Sequence, residues 1–169
     1  MSVWVGTVGD TQIATRLAAR YTENFDGSDY TIGQFFQLGA IDQCWNRDVG
    51  VNYAWTPEDN VTTFSSGPSS DHTTGSGQFL YSARFFGGNP AQVLTTSVYS
   101  PLINLSPLNT PELTFWYHMF GGDIDSLVVD VFDGNGWTNV NNLVGPQQTV
   151  KPKPGKRRWS ISVPLPMTL

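Results

Sequence analysis

Asp71 is the acid whose setting most invites chemistry. It lies in Gly67-Pro-Ser-Ser-Asp-His-Thr-Thr-Gly-Ser-Gly77, flanked by Ser70, Thr73 and Thr74. A calcium ion takes about six to eight oxygen ligands from carboxylates, carbonyls and hydroxyls, and this stretch offers all three. The same carboxylate could instead accept hydrogen bonds from the backbone amides of its own loop. Residue types alone leave both readings open. Asp123 and Asp125, in Gly-Gly-Asp-Ile-Asp, form a weaker oxygen pair, because acids are common in surface turns.

The remaining reactive side chains do not assemble a catalytic set. His118 sits between Tyr117 and Met119 in an aromatic run, which suits a hydrogen-bonded structural histidine. His72 falls in the polar loop beside Asp71, where turn groups supply its partners. Nucleophilic catalysis needs Ser or Cys, His and an orienting acid together, and no Gly-x-Ser-x-Gly elbow is present. Two histidines in separate blocks, with no His-Glu-x-x-His, argue against a zinc hydrolase. Glycoside cleavage needs a carboxylate pair, yet Glu occurs only at positions 23, 58 and 112. Cys44 is the single cysteine, so no intramolecular disulfide exists, and it reads as a small buried hydrophobe. Trp4, Trp55 and Trp137 could stack on sugars if exposed, but core packing is the commoner task.

The 169 residues suffice for one domain with a sizeable core. Only 14% are charged, against about a quarter in soluble domains, and the polar bulk comes from Ser, Thr, Asn and Gly. That usage suits an all-β protein with many turns. The net charge of −5 argues against nucleic acid and anionic membranes as partners. The basic run Lys151-Pro-Lys-Pro-Gly-Lys-Arg-Arg158 reads as a solvated loop between strands. No run of 18 apolar residues is present, so no segment is expected to insert in a membrane, and no secretory signal is visible.

Residues 1–23 read as an arm or linker. Val3, Val5 and Val8 are strand-like, and Asp10 could cap a short helix carrying Ile13, Leu17 and Tyr21. Strands are predicted over Gln78 to Phe86 and over Leu113 to Phe120, the latter with large residues on both faces, as in a central strand covered on both sides. Leu127, Val129 and Val131 alternate with Val128, Asp130 and Phe132. Asp133-Gly-Asn-Gly136 is a hairpin turn leading back through Trp137 and Val140. A last strand carries Trp159, Ile161 and Val163 inward until Pro164 and Pro166 end it.

The Gly67–Gly77 loop followed by Phe79-Leu-Tyr81 resembles the most diagnostic stretch of MAM (meprin, A5, mu) domains. Ser100-Pro-Leu102 with Leu113-Thr-Phe-Trp-Tyr-His-Met-Phe-Gly121 is similar to the family's second block. Leu127-Val-Val-Asp-Val131, Trp137, Gly145-Pro-Gln-Gln148 and Trp159 are similar to its later strands, and Asn24-Phe-Asp-Gly27 to its opening. The cysteine-poor pattern resembles the bacterial-type branch. The resemblance implies a jelly-roll β-sandwich of two antiparallel sheets over 24–169 with an N-terminal arm. It also implies Asp26 as the second carboxylate beside Asp71 at a structural calcium site. The family's closing acidic segment has no counterpart here, so the last strands are expected to be lacking.

The function so implied is a non-enzymatic adhesion or assembly module, extracellular or at the cell surface, acting through a protein partner or self-association. A carbohydrate-binding module of a secreted enzyme, with glycans as ligands, is the alternative. A structural protein at the virion surface of a phage-like particle is a third expectation.

Overall fold

The computed structural model describes residues 2–5, 21–33, 37–49, 53–60, 67–84, 95–105, 108–122, 124–149 and 159–164. These form nine strands: β1 (Ser2–Val5), β2 (Asn46–Arg47), β3 (Tyr53–Glu58), β4 (Phe79–Arg84), β5 (Ser97–Tyr99), β6 (Glu112–Tyr117), β7 (Ser126–Phe132), β8 (Trp137–Val144) and β9 (Trp159–Pro164). The architecture is the all-β one that the turn-rich composition predicts. The helix expected after Asp10, the position of Val8 and the basic run 151–158 lie outside the described residues.

The strands group as a five-stranded sheet in the order β2-β5-β1-β7-β8 and two antiparallel ribbons, β3-β4 and β6-β9. The large sheet is mixed, because β1 runs parallel to both β5 and β7. One core joins the three sheets. Trp55 of β3, Val98 of β5, Leu127 of β7 and Met119 form its buried centre. Leu80 of β4, Phe115 and Tyr117 of β6 and Leu143 of β8 pack against it. Trp55 is only 2% exposed, and its indole N–H donates to the Thr96 carbonyl at 3.1 Å, so its one polar atom is satisfied in the interior.

The β7–β8 hairpin follows its sequence pattern. Leu127, Val129 and Val131 are all buried. The Asp133 carboxylate accepts from the amides of Asn135 (2.9 Å) and Gly136 (3.0 Å). Gly134 takes a φ of 96°, a conformation open to glycine. A bulge between Val129 and Asp130 lets the buried Asp130 accept from the Asn139 amide at 2.8 Å.

Two expectations are corrected. β6 is not covered on both sides: Glu112, Thr114 and Trp116 are exposed, while Leu113, Phe115 and Tyr117 are partly buried. Among the described residues it pairs only with β9, and the face of β6 that carries Trp116 meets solvent. Cys44 is exposed rather than buried. It lies in a turn where the Asp42 carboxylate accepts its amide at 2.7 Å, and turns of this kind belong at the surface.

Candidate functional site

The Asp71 loop is built from its own hydrogen bonds. One oxygen, Oδ2, accepts from the amides of Thr73 (2.8 Å) and Thr74 (2.7 Å). The other, Oδ1, accepts from the Thr74 hydroxyl (2.9 Å) and the Gly77 amide (2.9 Å). Asp71 is 5% exposed. Burial alone would raise its pKa, but the amides of Thr74 and Gly77 and the Thr74 hydroxyl outweigh that and hold it at about 2. The side chain is therefore ionised throughout the physiological range.

Asp26 arrives from a distant part of the chain. Its Oδ1 accepts from the Gln78 amide at 2.6 Å, one residue beyond the Gly77 amide that Asp71 holds. Its Oδ2 accepts from Asn24 at 3.1 Å. Gly77 makes the approach possible, since a Cβ there would lie 2.6 Å from Asp26 Oδ1 and 2.7 Å from Oδ2. The fold thus brings the two predicted carboxylates onto consecutive backbone amides. Their oxygens form a hard donor set of the kind calcium prefers. Among the described residues, however, no group of three or more His, Cys, Asp or Glu is placed to hold a metal. With four donors on it, Asp71 also has a purely structural role, the second of the two readings above. Asp125 is exposed, and Asp123 lies outside the described residues.

His72, next to Asp71, carries the loop onto the β6–β9 ribbon. Its ring stacks on Trp116 with centroids 3.4 Å apart and planes 12° from parallel. Trp116 is 47% exposed, so this aromatic is both fixed by a neighbour and open to solvent. Trp137 makes a second such position. It is 41% exposed and packs beside Phe132 (5.0 Å) and Tyr99 (6.0 Å). Of the three tryptophans considered as sugar platforms, Trp55 is buried, Trp137 is exposed and the side chain of Trp4 lies outside the described residues. Trp116 is not among the platforms the sequence suggests, because its strand reads as doubly covered; the signal is its place in the 112, 114, 116 alternation.

Among the described residues, the remaining candidates have structural partners. His118 packs edge-on to Phe120 at 6.4 Å. The Cys44 thiol is raised by desolvation and by Asp42, which works against thiolate reactivity. Glu23 is taken up by the Tyr21 hydroxyl (2.8 Å) and the Phe25 amide (2.7 Å).

The model of the MAM domain, meprin/A5/mu, matches residues 34–160. Neuropilin-1 of Xenopus laevis is 31% identical over 107 residues, covering 58% of this chain and 10% of that protein. Neuropilin-1a of Danio rerio is 36% identical over 98 residues (52% and 10%), and human neuropilin-1 is 35% identical over 88 residues (50% and 8%). The chain therefore spans about a tenth of the length of these curated relatives. No solved structure matches at comparable stringency.

Proposed function

The chain belongs to the MAM domain family, and on that premise we propose that it is a non-enzymatic adhesion module that acts outside cells through protein–protein contact. The observation that carries this reading is Trp116: large, nearly half exposed, and held flat by His72 on the open face of a sheet. Interface hot spots are enriched in such aromatics, because a rigid ring contributes contact area at small entropic cost. Trp137, 41% exposed and tilted at 44° to Phe132, is a second exposed aromatic. Calcium at Asp26 and Asp71 belongs to the same proposal. An ion there would draw on Asp26 and on loop oxygens, and on Asp71 once one of its four hydrogen bonds gives way, and would stiffen the loop that carries His72.

Beads coated with the chain test this directly. The expected result is clustering in calcium that weakens in chelator and falls at least tenfold for Trp116→Ala. Equal clustering by the variant would remove Trp116 from the contact. The two exposed tryptophans also favour a second reading, a glycan-binding surface. Retention on a glycan array, lost in Trp116→Ala or Trp137→Ala without any bead clustering, would replace the first reading with the second.

A further inference from the structure

The five-stranded sheet has two unlike faces. Val98, Leu127, Val129 and Val131 are buried on the side of the core. Tyr99, Asp130 and Phe132 occupy the alternate positions and so lie on the other side. β8 continues that side, because Phe132 opposes Trp137 and Asp130 opposes Asn139. The Trp116 surface belongs to the β6–β9 ribbon, so the two exposed tryptophans stand on different sheets.

Trp137 is fixed on this face by its neighbours. The turn before it is closed by Asp133, whose carboxylate holds two amides and whose own amide donates to the Gly136 carbonyl at 3.2 Å. Phe132 lies 5.0 Å away with planes at 44°, and Tyr99 lies 6.0 Å away at 51°. The Tyr99 ring is itself held, since its hydroxyl donates to Asp48 at 3.1 Å. An aromatic cage would place its rings around a cation, each centroid within about 6 Å of the charge. These rings pack on one another and leave no room between them. What remains open is the indole itself, 41% exposed, a flat apolar surface on a fixed support.

Beside the indole stand acceptors for hydroxyl groups. Asp130 is diagonal to Trp137 across the ladder, a separation of about 7–8 Å. It is 8% exposed. Its Oδ1 accepts from the Asn139 amide at 2.8 Å, while Oδ2 accepts no hydrogen bond among the described residues. A nearly buried carboxylate with an unused oxygen is costly unless a donor from outside serves it. Asn139 directs its amide nitrogen to Asp130 and to the carbonyls of Val129 (3.3 Å) and Asn141 (3.2 Å). Its side-chain oxygen remains to accept. A fixed apolar platform with a few acceptors at its margin fits a pyranose, which has an apolar C–H face and a rim of hydroxyl donors.

Charge narrows the class of sugar. β1, β5, β7, β8 and the 133–136 turn contain no Lys or Arg. Arg47 of β2 opposes the core residue Val98, and its guanidinium donates to the carbonyls of Trp55 (2.7 Å) and Gly39 (2.6 Å). Among the described residues of this sheet, a sulfated or sialylated sugar would therefore meet Asp130 and Asp133 with no cation to offset them.

We propose that Trp137, Asp130 and Asn139 form a binding site for a neutral hexopyranoside. The sugar's apolar face lies on the indole, and its hydroxyls donate to Asp130 Oδ2 and the Asn139 side-chain oxygen. This deepens the glycan reading and rests on it, assigning the ligand class and placing the site on the five-stranded sheet. The first test is fluorine NMR of the full chain carrying 5-fluorotryptophan, titrated with methyl β-galactoside, methyl β-glucoside and methyl α-mannoside. The Trp137 resonance, identified by its loss in Trp137→Phe, should move with at least one of these sugars, and the Trp116 resonance should stay. This reading is made on the intact side chains, so it stands even if a variant folds poorly. On a glycan array the intact chain should retain neutral oligosaccharides. Retention should fall at least tenfold in Trp137→Ala. It should fall about fivefold in Asp130→Asn, which keeps an acceptor for Asn139 but turns the open oxygen into a donor. A Trp137 resonance unmoved by all three sugars, retention of sulfated or sialylated glycans alone, or retention unchanged in Trp137→Ala would each overturn the proposal. Retention lost in Trp116→Ala alone would leave the glycan reading standing while this site falls.

Discussion

The Asp71 loop and strand β1 are secured by opposite means. Asp71 gathers three amides and a hydroxyl from within six positions of itself, and only Asp26 comes to the loop from far away. β1 is placed by ladder pairs to residues around positions 97–99 and 128–131, almost the breadth of the domain away in sequence. The loop's bonds are thus nearly all local, whereas β1 takes its partners from strands far along the chain. Local order of the first kind gives a rigid platform for His72 and Trp116. Non-local order of the second kind ties distant parts of the chain into one sheet.

The largest effect should come from damaging β7, the strand beside β1. Leu127→Ala removes a buried side chain from β7 at the centre of the core, and should cost about 3 kcal/mol in denaturant unfolding. Amide exchange should accelerate along β1, β7 and β8 together. Protection loss confined to β7 would show that the sheet is less cooperative than its pairing implies.

Next is the loop itself. Asp71→Ala leaves the amides of Thr73, Thr74 and Gly77 without their acceptor, and should cost about 2 kcal/mol. Its exchange signature should stay within the loop, in contrast to that of Leu127→Ala. The same carboxylate sets a pH dependence. Its folded pKa of about 2 lies below the ordinary 3.8, so its contribution is fully present above pH 4 and lost as pH falls towards 2. Asp71→Asn should flatten that limb of the stability profile, and an unchanged slope would place the acid sensitivity elsewhere.

Gly77→Ala should cost less, about 1 kcal/mol, because exposed Asp26 can turn away from the added Cβ into solvent. Its sharper effect should be on calcium, measured by titration calorimetry: if Asp26 contributes to the ion's site, binding weakens markedly in the alanine variant.

This division also marks what the sequence made legible. Asp133-Gly-Asn-Gly136 could be read directly, because its partners lie within a few positions, whereas residue types left Asp71 open between its own loop amides and a cation. The alternation of Leu127, Val129 and Val131 gave β7 its buried face. Asp26 came only from the family resemblance, since nothing in its spacing points to residues 77 and 78. The open face of β6 was hidden because Leu113 to Phe120 is large at nearly every position, which erases the two-residue period that separates inside from outside. Cys44 was misplaced because residue type spoke for burial while the turn around Asp42 decided its exposure. The place of β1 was illegible for a physical reason: parallel pairing has no turn to announce it, and Val3 and Val5 say strand without saying where.

Trp116 carries the smallest stability effect and the largest functional one. Trp116→Ala should shift unfolding by less than about 1 kcal/mol, since half of the ring already meets solvent. The most direct measurement is chain-on-chain binding by surface plasmon resonance, with intact and Trp116→Ala protein matched for unfolding midpoint. Specific binding by the intact chain and at least a tenfold loss in the variant is the predicted result. Identical binding by the two proteins, or none by the intact chain in the presence of calcium, would contradict the assignment of this face as an adhesive surface.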